Sequence, residues 1–428
     1  MTADVAAHFR AVPSHDALDL GHGVFGAAES HFDCAVRAFS TMFPGRRFGG
    51  GALAVYLDGQ PVIDVWKGWA DRDGRVPWSA DTAAMVFSAT KGMTATVIHR
   101  LADRGLIDYE APVAEYWHAF AANGKAGLTI REVMRHTAGL SGLRGASQAH
   151  VFDHIEMEER LAAAAPGRMF GQPAYHSLTF GWLMSGLARA VTGKDMRILF
   201  REELAEPLNT DGFHLGRPPA KSPTRAAEVI MPQDLAPIPV VTGVAQCVAN
   251  RFSGVYRSMY FPGLIAAIQG DNAMLDAQIP AANGVVTARA LARMYGAIAN
   301  GGEVDGKRFL SRGLVESLAG ERKLQRDRNI FLPLGFHLGY HALPIGNVMP
   351  GFGHVGLGSS FGWSHPDMGL AISVVLNRLM TPFTLTDFAG FIGLSALIRQ
   401  AAAGACKLGF RPVHDLGAPY SAPRAVEC

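Results

Sequence analysis

Strand-forming patterns stand at both ends of this chain with a long helix-patterned middle between them, and that order restricts the fold more than any other feature. From Gly49 to Asp71, Ala-Leu-Ala-Val-Tyr-Leu and Val-Ile-Asp-Val-Trp flank Asp58-Gly59, the dipeptide that suits a tight hairpin turn. Strand character returns around His354 and in Gly369 to Leu376, followed by a terminal helix from about Phe388 through Ala403. Between these ends, Ser88–Arg104, Ile130–His136, His154–Ala165, Thr179–Val191, Asp195–Leu204 and Ala288–Ala299 space their apolar residues for one buried helical face. Sheet, helices and sheet again predict an α+β protein, with a sheet domain built from 1–86 together with 330–428 and a mainly helical domain, 87–329, inserted between. The 428 residues are enough for both. Prolines 218, 219, 223, 232, 237 and 239 predict a long irregular loop, either a surface excursion or a cover over a pocket.

The bulk numbers exclude several classes. A net charge of +2 without basic blocks offers no footprint for nucleic acid, and none is expected as a partner. Cys34, Cys247, Cys406 and Cys428 are far apart with no Cys-x-x-Cys, which reads as free thiols and not as a metal cluster. His150/His154 and His337/His341 have helical metal-binding spacing but lack the Glu of His-Glu-x-x-His, so no metal or other cofactor is expected. The first residues lack the apolar core of a secretory signal, and the longest apolar runs read as strand-sized. A cytoplasmic protein without an integral membrane segment is the expectation, with peripheral envelope association left open. The oligomeric state is not encoded in any pattern here.

The chemistry centres on Phe87-Ser88-Ala89-Thr90-Lys91-Gly92, at the start of the helix that Gly105 is placed to stop. Residues three apart on a helix lie about 5–6 Å apart at Cβ, so the Ser88 hydroxyl and the Lys91 amine can meet without tertiary help. A hydroxyl beside an amine can become a nucleophile, and a helix start favours negative charge developing on a reacting oxygen.

Two more elements follow in order. Tyr175-His176-Ser177 precedes a helical pattern, and Gly353-His354-Val355-Gly356 sits in an apparent strand. Ser-x-x-Lys, a Tyr-x-Asn-like element and a Lys-Thr-Gly or His-x-Gly strand form the signature of the serine β-lactamase and penicillin-binding-protein superfamily. From about Gly49 to Arg378 the chain resembles that superfamily, most closely the family VIII carboxylesterases, which look like class C β-lactamases. Leu128 through Leu140, Pro280-Ala-Ala-Asn-Gly284 and Asn377-Arg378 add to the resemblance.

The resemblance implies a β-lactamase-like fold, an antiparallel sheet flanked by helices, and a serine carboxylesterase acting on a small-molecule ester of short to medium acyl length. Ser88 would be the nucleophile, with Lys91 and Tyr175 as coupled base and acid, and a cationic Lys91 would stabilise the Tyr175 phenolate. The backbone N–H groups of Ser88 and Leu357 would form the oxyanion hole, with Ser177, His354 and Gly356 against the substrate. Two departures matter. Ser177 replaces the asparagine that would contact a β-lactam side chain. His354 replaces a lysine and, with an ordinary imidazole pKa, would be about one-quarter cationic at pH 7. Both changes favour a neutral ester over a penicillin. A β-lactamase or D,D-peptidase-like amide hydrolase, a transacylase using the same acyl-enzyme and an inactive binding protein are the alternatives. Gly358-Ser359-Ser360-Phe361-Gly362 also fits the Gly-x-Ser-x-Gly elbow, but a strand-like sequence follows it where an elbow needs a helix.

Overall fold

The Asp58-Gly59 dipeptide makes the turn that its sequence demands: both residues have positive φ, +49° and +74°, which matches the twist of the flanking strands. The structure is a computed structural model that describes residues 18–143, 145–231, 254–269, 271–358, 360–379, 384–412 and 416. In chain order the principal elements are β1 (Phe25–Ala28), α1 (Asp33–Thr41), β2 (Gly50–Leu57), β3 (Gln60–Gly68), β4 (Thr82–Met85), α2 (Thr90–Asp103), α3 (Thr179–Thr192), β5 (Gly284–Val286), α4 (Ala288–Ala299), β6 (Pro333–His337), β7 (Tyr340–Ala342), β8 (Phe352–Val355), β9 (Phe361–His365), β10 (Leu370–Leu376) and α5 (Thr384–Lys407).

Both chain ends contribute to one antiparallel sheet, in the order Leu18–Asp19, β1, β3, β2, β10, β9, β8, β7, β6, Gln325–Arg326. Strand β2 is buried along its whole length because both faces of the sheet are covered. Its Leu53, Val55 and Leu57 join Phe39, Ile372, Phe391 and Ile398 beneath α1 and α5, while Ala52, Ala54 and Tyr56 face the other way, toward Leu291 and Tyr295 of α4. That period of two is the pleat expressed as two cores. The helix Ala288–Ala299 therefore lies against the sheet, whereas α2 and α3 pack together over the region that carries Ser88 and Tyr175.

A smaller sheet orders Phe213–Leu215, β5, β4 and Arg225–Ala226, the last pairing in parallel with β4. The proline-broken stretch is thus tied down in its first half, where Ile230 also bridges Arg378. Pro232, Pro237 and Pro239 lie outside the described residues. The Asp195–Leu204 helix is realised as an α-turn, Met196–Leu199, running into a π-helix, Phe200–Ala205.

Two expectations need correction. Cys34 is disulfide-bonded, and only Cys406 is a free cysteine among the described residues. Helix α5 is not strand-sized: Asp387–Lys407 is long and apolar enough by composition to cross a bilayer, with 33% of its most apolar window buried. One face of α5 packs into the core through Phe391, Leu394 and Ile398, and its Asp387 is ion-paired with the buried Arg378.

Candidate active site

The strand β4 delivers the chain to Ser88 through a strained residue. Phe87 has φ +47°, a left-handed conformation that costs a non-glycine side chain about 1–2 kcal/mol. Its distortion swings Ser88 into a short 3-10 turn, Phe87–Ala89, from which α2 continues. Ser88 is half-buried, and its backbone N–H has no backbone acceptor among the described residues.

Lys91 meets Ser88 as its spacing predicts: Nζ lies 3.1 Å from Oγ. The lysine is fully buried. Its second partner is the Ala281 carbonyl at 3.0 Å, a neutral group, and burial holds the amine well below the usual lysine range. The segment Pro280–Gly284 is built to offer that carbonyl. Thr94 Oγ1 donates to Pro280 O at 2.5 Å, the Gly284 N–H donates to Thr90 Oγ1 at 2.9 Å, and the Asn283 side chain ties back to Ile279, Met274 and Ala277. Gly181 lets α3 close on this turn, since a Cβ there would stand 2.5 Å from Ala281 N. A backbone carbonyl leaves no mark in sequence, so Ala281 was not among the expected site residues.

Tyr175 completes the group. Its ring centroid lies 4.8 Å from Lys91 Nζ. Burial pushes the phenol above the ordinary tyrosine range, opposed by the nearby Ser88 hydroxyl and reinforced by the charge of Asp327. The ring stacks on Phe336 at 5.8 Å and leans on His136 at 4.9 Å. Burial therefore shifts the amine toward its neutral form and holds the phenol protonated.

His354 projects from β8 beside α2. A Cβ added at Gly92 would stand 3.3 Å from His354 Cβ and 2.2 Å from the Tyr295 hydroxyl, so only glycine lets the helix, the strand and α4 approach so closely. Beyond His354, Gly356 touches the segment that carries Ser88: a Cβ there would fall 2.2 Å from Val86 O. The Leu357 N–H, one residue on, also has no backbone acceptor among the described residues. Ser360 is different. It is 1% exposed, and its hydroxyl donates to Leu376 O at 3.2 Å and accepts from Leu376 N–H at 2.9 Å, the work of a strand-end tie and not of a nucleophile.

Residues 32–390 match the beta-lactamase family model. The chain belongs to the beta-lactamase family. Within it, the chain is 71% identical over 427 residues to Esterase/beta-lactamase LipL of Mycobacterium tuberculosis (strain ATCC 25618 / H37Rv), covering 100% of both chains. Among solved structures, a family VIII carboxylesterase superposes with a TM-score of 0.75 at 31% identity, over 89% of this chain and 99% of that one. A penicillin-binding-protein homologue from Caulobacter crescentus gives a TM-score of 0.73 at 28% identity, over 88% and 99%. The β-lactamase-like fold expected from the motifs is thereby shown.

Two positions depart from the β-lactamase pattern in ways that only structure reveals. The Ser177 hydroxyl is buried and engaged with Ser258 Oγ at 2.8 Å. His354 is 1% exposed, and burial, with His341 and Lys91 nearby, keeps its imidazole well below the ordinary range. It is neutral at pH 7, so the expected quarter of a positive charge is absent. His136 and His176 hold the tyrosine element. The His176 N–H donates to His136 Nδ1 at 3.1 Å, and Leu140 N–H donates to His176 Nε2 at 3.1 Å. The histidine pairs singled out for spacing are engaged elsewhere: His150 accepts from Ser147 N–H, His154 faces Asp195, His337 donates to Ser317 O and His341 accepts from Val355 N–H.

Proposed function

We propose that this chain is a serine esterase that hydrolyses short to medium acyl carboxylic esters through an acyl-enzyme on Ser88. The observation that carries the reading is the buried Lys91 amine 3.1 Å from Ser88 Oγ, with the neutral Ala281 carbonyl as its other hydrogen-bond partner among the described residues. Burial that lowers the amine from the ordinary lysine range favours the form with a lone pair for the Ser88 proton, which an ordinary surface lysine lacks. Ser88 Oγ attacks the ester carbonyl carbon as its proton passes to Lys91 Nζ. The oxyanion that forms accepts from the Ser88 and Leu357 N–H groups, each worth about 3–4 kcal/mol in sites of this kind. Tyr175, between the amine and the leaving oxygen, relays the proton to the departing alkoxide as the C–O bond breaks. Water then enters, gives a proton back through Tyr175 and Lys91, and attacks the acyl carbon; collapse releases the acid and returns the proton to Ser88 Oγ.

Ester preference over β-lactams is supported by chemistry at two places. Neutral His354 supplies no fixed charge for a β-lactam carboxylate, and Ser177, already bonded to Ser258, supplies no amide for its side chain. The relatives agree in name: one is an esterase/beta-lactamase and one a family VIII carboxylesterase. Parallel turnover of a p-nitrophenyl ester and a chromogenic cephalosporin by the wild type and by Ser88→Ala tests the proposal. Ester turnover that vanishes in Ser88→Ala is the expected result. A cephalosporin hydrolysed faster than the ester would transfer the assignment to a lactamase, and turnover undiminished in Ser88→Ala would remove the nucleophile.

A further inference from the structure

We infer that Asp327 and Asn329 form a clamp that positions Tyr175 for proton transfer, acting on its backbone from a loop 152 residues further along the chain. The inference rests on the proposed role of Tyr175. The Tyr175 N–H donates to Asp327 Oδ2 at 2.7 Å, and Asn329 Nδ2 donates to the Tyr175 carbonyl at 3.0 Å. The Arg328 N–H donates to Pro173 O at 2.9 Å, so three consecutive residues of the loop grip the tyrosine element. Gly254 packs on Asn329, where a Cβ would fall 2.7 Å from Asn329 Cα, and backs the clamp from behind.

Asp327 is 0% exposed and has no cationic partner among the described residues; its contacts there are the N–H groups of Tyr175, Asn329 and Ile330. A carboxylate held that way costs desolvation energy without an ion pair in return. A mere loop staple would need only the bonds from Asn329 and Ile330, both made by Oδ1 at 2.8 and 2.9 Å. The second oxygen is given wholly to Tyr175. On the opposite side the tyrosine element is fixed by His136, whose carbonyl accepts from Ala174 N–H at 3.1 Å. Held from two sides, the Tyr175 backbone has little freedom, and a displacement of about 1 Å at an acid/base group costs about 10²-fold in rate.

This division of labour makes Asp327→Asn a selective probe. The amide oxygen can keep the bonds from Asn329 and Ile330, which leaves an NH2 facing the Tyr175 N–H, donor against donor. The experiment is a double-mutant cycle on the full chain, with ester kinetics for wild type, Asp327→Asn, Tyr175→Phe and the double variant. The expected result is a kcat about 10²-fold lower in Asp327→Asn with KM little changed, and less than about twofold further loss when Asp327→Asn is added to Tyr175→Phe. Equal loss in both backgrounds, or wild-type kcat in Asp327→Asn, would overturn the clamp. A Tyr175→Phe variant with full activity would instead overturn the proposed role of Tyr175, and the clamp's catalytic purpose with it. If Asp327→Asn does not fold, Asn329→Ala, which removes the bond to the Tyr175 carbonyl, takes its place in the cycle: loss confined to the Tyr175 background supports the clamp, and equal loss in both backgrounds overturns it.

Discussion

Gly356→Ala should disable the enzyme without touching a side chain of the catalytic group. The new Cβ would fall 2.2 Å from Val86 O and 3.2 Å from both Val86 C and Ser360 O. Non-bonded carbon and oxygen need about 3.2 Å, so the loop after β8 and the segment entering Ser88 must separate by about 1 Å. Val86 cannot yield cheaply, because its N–H is bonded to Gly284 O and its carbonyl receives the Ala89 N–H that closes the turn carrying Ser88. The proposed oxyanion donors stand on the two sides of this contact, one at Ser88 and one at Leu357. Losing alignment of one such donor costs about 3 kcal/mol, or about 10²-fold in kcat/KM, and overpacking subtracts about 1–3 kcal/mol of stability. Steady-state hydrolysis of a p-nitrophenyl ester, with a thermal melt of the same sample, measures both. Gly346→Ala is the control, since its Cβ would meet nothing within 4 Å. A Gly356→Ala enzyme with kcat/KM within about threefold of wild type would refute the reasoning about where the oxyanion binds.

Three further outcomes follow from the same geometry. Ser360→Ala should keep ester turnover while losing about 1–3 kcal/mol of stability, because the Leu376 N–H is left buried and unpaired; chemical denaturation beside an activity assay checks both parts. Lys91→Ala should cost orders of magnitude in kcat, and retention of wild-type kcat would remove the amine from the mechanism. Acid should destabilise the fold. His176 is held down to about 4 and His99 and His341 to about 3, chiefly by burial, so below pH 6.5 the unfolded chain takes up protons that the folded chain refuses. Stability then falls with pH by about 1.4 kcal/mol per unit for each histidine, until the pH reaches its folded pKa. Asp387, held up to about 6, works the other way and offsets part of this. Thermal melts at pH 7.5, 6 and 5 should show a clear decline, and a flat or rising melting temperature would contradict the buried-neutral assignment.

What the sequence revealed and what it concealed divide along a physical line. Asp58-Gly59 and the Ser88-x-x-Lys91 pair were legible because their geometry is local: one needs only positive φ in two residues, the other only a helical turn. Helix Ala288–Ala299 was legible to the residue because Thr287 caps it, accepting from Ala290 N–H, and its apolar period is unbroken. The downward pKa shifts of Lys91 and His354 were not, since they depend on burial by elements scattered over the chain. Asp327 and Asn329 were invisible for a related reason. A lone Asp with N–H donors two and three residues on reads as an ordinary loop turn, and nothing local says that its other oxygen holds Tyr175. The strand Arg225–Ala226 was hidden by the prolines around it, which discourage a strand reading although one short parallel pairing with β4 needs only two residues.

The central claim is that Ser88 is the nucleophile, and the most direct test is mass spectrometry of the intact protein after treatment with a fluorophosphonate, followed by peptide mapping. One label per chain on the peptide carrying Ser88, with loss of ester turnover in proportion to labelling, is the expected result. Label on Ser360, or full inactivation with Ser88 unmodified, would contradict it.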